Sequence, residues 1–155
     1  MSELPTPETL ANVVDETSQA MYGMAISYAG ECERGLPGAR DNATVIVPLI
    51  GAPLYIITAR ADEKGGSALA SAMFSCESAD TNPEMVEDSL RELCNIVAGQ
   101  VKSLIAQEHE IGLPSRLTDD RTLNDVHQWS GARLLVGGRG NAEVDIAVAE
   151  FEGFN

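Results

Sequence analysis

The segment Asn82-Pro83-Glu84-Met85-Val86-Glu87-Asp88-Ser89-Leu90-Arg91-Glu92-Leu93-Cys94-Asn95-Ile96-Val97-Ala98-Gly99 decides the fold, because it spells out an amphipathic helix that the chain contains twice. Asn82 offers a capping side chain, Pro83 suits the first helical position, and Glu84 puts an acid in the first turn, where the helix dipole favours it. At about 100° per residue, Val86, Leu90, Leu93, Val97, Val101 and Leu104 form one apolar stripe, and Asp88, Glu92, Asn95, Gly99 and Lys102 form the opposite one. The helix is expected over residues 83–107. Glu92 and Asn95 are expected to be exposed, side by side and one turn apart. By spacing alone they form either an ordinary solvated face or a face that meets a partner. Gly99 shares that face although glycine costs an exposed helix interior about 1 kcal/mol relative to alanine, which suggests that something comes close there.

The second copy of the pattern begins at Thr6-Pro7-Glu8 and is expected to run over residues 7–24. In register, Pro7 matches Pro83, Glu16 matches Glu92 and Gly23 matches Gly99, with Leu10, Val14 and Met21 at the places of Val86, Leu90 and Val97. Gln19 stands where the later helix has Asn95, and Asn12 where it has Asp88. After one residue of slippage, Glu31-Cys32-Glu33-Arg34-Gly35-Leu36-Pro37 lines up with Glu108-His109-Glu110-Ile111-Gly112-Leu113-Pro114, and both read as corners.

Beyond each corner lie two β-branched runs around turn residues, the signature of a hairpin. Thr44–Val47 and Leu54–Thr58 flank Gly51-Ala52-Pro53, and Arg133–Val136 and Glu143–Val148 flank Gly140-Asn141. A short helix around Ser67–Phe74 joins the copies, and the second copy has an insertion, Thr118–Trp129, read as a loop. The expected fold is α/β of the α+β type: duplicated helix plus β-hairpin units, with two long helices on one mainly antiparallel sheet. Residues 1–155 are read as a single domain, since neither pseudo-repeat, about 6–61 and 82–150, has a face it can bury alone.

Composition narrows the function. With 24 acidic against 10 basic residues and a formal charge of -14, the chain should repel nucleic acid and anionic membranes. Cys32, Cys76 and Cys94 form no C-x-x-C pair, and neither a basic leader nor a membrane-length apolar run is present. The expectation is a cytoplasmic protein with reduced thiols and no membrane insertion. His109 and His127 have no ligand spacing, so no metal site is expected and both are read as surface residues. Gly137-Gly138-Arg139-Gly140 lies between strands and opens no helix, so it is not a phosphate loop.

Ala68-Leu69-Ala70-Ser71-Ala72-Met73, Asp88-x-x-x-Glu92-Leu93-x-Asn95-x-x-x-Gly99 and Ile111-Gly112-Leu113-Pro114 together resemble the CheX branch of the CheC/CheX/FliY phosphatases of bacterial chemotaxis. The resemblance implies a phosphatase acting on the phospho-aspartate of a CheY-type receiver domain. Glu92 and Asn95 would be its catalytic pair, and Asp88 and Gly99 would lie against the partner. Since a phosphorylated receiver brings its own Mg ion and lysine, no cofactor of the chain's own is implied. Asn95 would then hold the attacking water, and Glu92 would pair with the receiver's lysine.

The resemblance also implies a homodimer and an inactive first helix, because Gln19 replaces asparagine there. Pro114 arrives sooner than the family pattern has it. The alternative is a non-catalytic module of the same fold that docks on a receiver or motor protein. Asp88 also reads as a solvated acid, Cys94 as a packed thiol, and Trp129 and Arg139-Gly140-Asn141 as turn and loop residues.

Overall fold

A computed structural model of the chain describes residues 4–32, 43–105, 107–116, 126–137 and 142–151. In chain order these form α1 (Pro7–Tyr22), β1 (Ile26–Glu31), β2 (Ala43–Ile50), β3 (Leu54–Ala61), α2 (Glu63–Phe74), α3 (Pro83–Leu104), β4 (Glu110–Ile111), β5 (Ser115–Arg116), β6 (Val126–Val136) and β7 (Glu143–Phe151). Both long helices start as their sequences dictate. The Thr6 hydroxyl accepts from the Thr9 amide at 3.1 Å, and the Asn82 side chain accepts from the Met85 amide at 2.9 Å. They end earlier than the expected 24 and 107. Gly23 adopts φ 62° and caps α1, a left-handed conformation that costs glycine nothing. At the end of α3 the chain turns extended at Ile105, which packs on the core, so Leu104 is left exposed instead of completing the apolar stripe.

All the strand pairings are antiparallel, and the sheet order is β1-β6-β7-β3-β2-β4, with β5 also on β2. Exchanging the two repeats leaves that order unchanged, which is the approximate two-fold that the duplicated sequence implies. At its centre β3 pairs with β7 over eight residues, from Leu54 opposite Phe151 to Ala61 opposite Val144. Helix α3 packs on β2 and β3, which belong to the first repeat, while α1 packs on β1 and on β6 of the second. One core results, built from Leu10, Val14, Leu90, Leu93, Val97 and the inward residues of the strands.

The opposite face of the sheet holds a smaller cluster of Ile56, Ala149 and Phe151, and a cross-strand ion trio. Asp145, on β7, takes Arg133 of β6 at 3.1 Å and Arg60 of β3 at 3.1 Å, each its register partner. Those hydrogen bonds and the charge of Asp145 hold the Arg133 guanidinium above its ordinary range. With 6% of its side chain exposed, Asp145 is a buried charge satisfied by two cations.

Several local expectations need correction. The hairpins are present and longer than read, but Val126–Trp129 is strand, because pairing with β7 extends β6 back to Val126. Trp129 is therefore a strand residue, and its indole N–H donates to the Cys32 carbonyl at 3.4 Å. Residues 118–125 and Arg139-Gly140-Asn141 lie outside the described residues. The two corners are sheet in part: Glu31 ends β1, and Glu110–Ile111 forms β4 on the free side of β2. Residues 33–37 lie outside the described residues.

His109 is buried and not a surface residue. Its ring nitrogens lie 3.0 Å from the Gln107 carbonyl and 2.6 Å from that of Pro53, and its ring rests against Tyr55. Room for the ring exists because Gly51 lacks a Cβ, which would stand 2.5 Å from His109 Cδ2. The side chain of His127 is outside the described residues.

The three cysteines are free. Burial, then the charge of Asp145, pushes the Cys32 thiol up to about 12, against the opposing charges of Arg133 and Arg60. Burial alone pushes Cys94 upward, and its thiol donates to the Val45 carbonyl at 3.4 Å. Cys94 is thus a packed thiol, as its place beside the apolar stripe implies. At neutral pH, Ellman's reagent is expected to titrate one thiol, the half-buried Cys76, in the native protein and all three after denaturation. Leu93→Ala, at a position 1% exposed, should lower stability by about 2–5 kcal/mol in urea unfolding.

Candidate functional site

Helix α3 lies against α1 and α2 as well as the sheet, and between residues 88 and 99 only Asp88, Asn95 and Gly99 are exposed. Leu90, Leu93, Cys94, Val97 and Val101 are its buried face. Asp88, Asn95, Gly99 and Lys102 are exposed, in line along one strip. A Cβ built on Gly99 meets nothing within 4 Å, so packing within the chain does not require glycine there. Beside the strip, Arg91 pairs with Glu87 one turn earlier at 3.4 Å, partly exposed and of small energetic weight.

Glu92 departs from the expected full exposure. It is half-buried, at the seam where α3 meets the end of α1, and Tyr22 lies across from it. Burial, then the charge of Glu92, then a hydrogen bond to that carboxylate, pushes the Tyr22 phenol above its ordinary range. Among the described residues Glu92 takes part in no ion pair. Sequence reasoning missed Tyr22, since the contact joins residues in different repeats and no local spacing encodes it.

The two repeats differ at the amide. Among the described residues the Asn95 carboxamide has no hydrogen-bond partner, and it stands in water with donor and acceptor both available. Gln19, its counterpart, donates to Asp15 Oδ1 at 2.9 Å, and the same oxygen accepts the Ile26 amide at 2.9 Å. The amide on α1 is therefore engaged within its own helix, on the carboxylate that accepts from β1. Glu16 is exposed beside it.

Asn95 is exposed on the helix surface and Glu92 half-buried beside it. An open depression of about 600 Å³ lies at the far end of α3, lined by residues that include Lys102, Ile105, Glu108 and His109, but neither Glu92 nor Asn95 belongs to it. A carboxylate–carboxamide pair presented on a helix surface suits a macromolecular partner better than a small molecule, which needs enclosure on most sides. Among the described residues no group of three or more His, Cys, Asp or Glu side chains is placed to hold a metal ion. No helix among them is long and apolar enough to cross a membrane.

Comparison with known proteins agrees with this geometry. The family model described as Chemotaxis phosphatase CheX matches residues 43–129, more than half the chain and all of α3. No curated protein matches the chain. Among solved structures, a chain of the CheX–CheY–BeF3–Mg complex from Borrelia burgdorferi has 15% identity and a TM-score of 0.65, covering 97% of this chain and 100% of that one. CheX from Vibrio vulnificus has 14% identity and a TM-score of 0.62, covering 91% and 93%. FliY from Thermotoga maritima has 12% identity and a TM-score of 0.60, covering 97% and 92%. At such identities these likenesses establish the fold alone, and the family rests on the matched sequence: the chain belongs to the CheX family.

Proposed function

We propose that this chain dephosphorylates the phospho-aspartate of a CheY-type receiver domain, with Asn95 positioning the attacking water and Glu92 docking on the receiver. The observation that carries the reading is the exposed Asn95 carboxamide, without a partner among the described residues, one turn from a glutamate with no ion pair among them, on the helix inside the CheX-matched segment. A CheX protein from Borrelia burgdorferi has been crystallised with CheY, BeF3 and Mg, which supports a receiver as the partner class.

The chemistry asks little of this side of the complex. Transfer of a phosphoryl group to water needs charge stabilisation and an in-line nucleophile. A receiver supplies the first with its own metal ion and lysine, so the missing part is orientation of the water. A carboxamide fixes a water by donating to its oxygen or accepting its proton, and a rigid helix holds that amide in place. Glu92, negatively charged and one turn back, gives the receiver's lysine a partner and so sets the approach. Asp88 and Gly99 border the pair, and the bare Gly99 backbone admits a close neighbour.

Decay of phospho-receiver with Mg and each variant tests the reading. Asn95→Ala should slow turnover about 100-fold with binding nearly intact, since a misplaced water is felt mainly in the transition state. Glu92→Ala should weaken binding roughly tenfold and slow turnover as well. Gln19→Ala should stay within about twofold of the parent, as a surface change away from the site. Full activity of Asn95→Ala alongside loss in Gln19→Ala would overturn the choice of helix. Receiver binding without acceleration by the parent protein would assign the face to docking alone.

Gly99→Ala gives an independent check, with opposite signs expected in two measurements. Stability should rise by about 1 kcal/mol, because an exposed helical glycine is replaced with nothing to clash against. Receiver affinity should fall, since the added methyl group stands in the contact face.

A further inference from the structure

Each long helix has a glycine at the same place in its repeat, Gly23 in α1 and Gly99 in α3, and the two are used in opposite ways. Gly23 turns left-handed and ends α1, and three residues later Ile26 is buried at the start of β1. Helix α3 runs through Gly99 and continues to Leu104, although an interior glycine weakens a helix. Only the helix that carries Asn95 therefore has a turn beyond its glycine, and Lys102 stands on it, exposed. Asp88 lies seven residues before Asn95 and Lys102 seven after, so both point within about 20° of the Asn95 direction round the helix. Along the strip the order is carboxylate, carboxamide, ammonium. Among the described residues Lys102 takes part in no ion pair, although Glu108 and Glu110 line the same depression. The helix dipole favours a lysine at any exposed position of the last turn, and Ser103 and Leu104 are exposed there too. The basic residue occupies the position that continues the strip.

We propose that Lys102 is a specificity-determining contact for the receiver: it pairs with a receiver carboxylate on the side of Asn95 away from Glu92, so that the strip admits its partner in one orientation. The inference rests on the receiver as partner and on the docking role of Glu92, and adds how the direction of approach is read. Asp88 and Lys102 stand about 10 Å to either side of Asn95 along the helix axis. An ordinary contact of about 800 Å² per partner reaches roughly 16 Å from its centre, so a receiver seated on Asn95 covers both ends. Turned half round, it would set its lysine towards Lys102 and its carboxylate towards Asp88 and Glu92, and like charges across a contact cost affinity. The fitting partner is thus a receiver with an acidic side chain about 10 Å from its phospho-aspartate, on the side away from its lysine. Helix α1 cannot make this reading, because it stops at its glycine. Lys102 touches neither phosphate nor water in this scheme, so it acts on binding and not on the chemical step.

The test measures affinity for the receiver loaded with Mg and BeF3, and decay of the phospho-receiver, in Lys102→Glu, Lys102→Arg and Lys64→Glu. Lys64 is exposed on α2, off the strip, so its reversal makes the same change in net charge elsewhere. At low salt Lys102→Glu should weaken binding and raise the receiver concentration for half-maximal rate, each roughly tenfold, with the maximal rate within about twofold of the parent. Lys102→Arg keeps the charge and, like Lys64→Glu, should stay within about twofold in both measurements. At about 0.5 M salt the Lys102→Glu penalty should shrink to about twofold or less, because charges at the rim of a contact are screened.

A low-salt penalty below about twofold, one matched by Lys64→Glu, or one that salt does not reduce, would overturn the inference and leave the proposed function standing. A parent protein that binds the loaded receiver without accelerating decay would still read the Lys102 contact through affinity. One that does neither would overturn the proposed function, and the orienting contact with it.

Discussion

The pairing of β3 with β7 is the constraint on which the rest of the structure depends. Its eight residue pairs join the two repeats at the centre of the sheet and place the two hairpins edge to edge. Strand faces have a period of two, so a one-residue slip would turn the inward residues of one hairpin away from the helices. The trio of Asp145 with Arg60 and Arg133 marks the same register from the other face, because a slip would leave a buried carboxylate without its two cations. Once that register is set, β2 and β6 follow through their hairpins, and the slots for α3 and α1 are defined.

Where the site stands follows from those slots. In its middle turns a helix seated on the sheet and flanked by two others shows solvent only a narrow strip, and Asp88, Asn95 and Gly99 occupy it. Leu93 and Cys94, between Glu92 and Asn95 in sequence, are fully packed on the sheet side. The same backbone that anchors the core thus carries the carboxamide, with no loop between scaffold and site. Such placement suits the task proposed for Asn95, holding one water in one place.

Much of this was legible in the sequence because it rests on local periodicity. The two capped amphipathic helices, the two hairpins and the outward Glu92 and Asn95 each repeat over enough residues to be read, and duplication showed each pattern twice. Strand β1 escaped notice since Ile26 is its sole fully buried residue, which leaves no alternation to detect. Strands β4 and β5 have two residues each and exist because the free side of β2 accepts them. The burial of His109 depends on Pro53 and Gly51, far away in the chain, and the Tyr22–Glu92 contact spans both repeats. Contacts of that kind are written in the fold and not in any window of sequence.

The interleaving of the repeats carries a consequence for descent. Apart from the two hairpins, every strand pairing in the sheet joins one repeat to the other, and α3 covers strands of the first repeat. A lone ancestral unit of helix, edge strand and hairpin would have left both its hairpin and its helix face bare. Two such units associating about a two-fold axis would have covered both, which makes a symmetric pair of short chains the natural forerunner of the fused gene. Covalent joining lets the halves differ while the symmetry of the sheet persists. An asparagine kept on one side and a glutamine on the other is the kind of difference that two identical chains could never have carried.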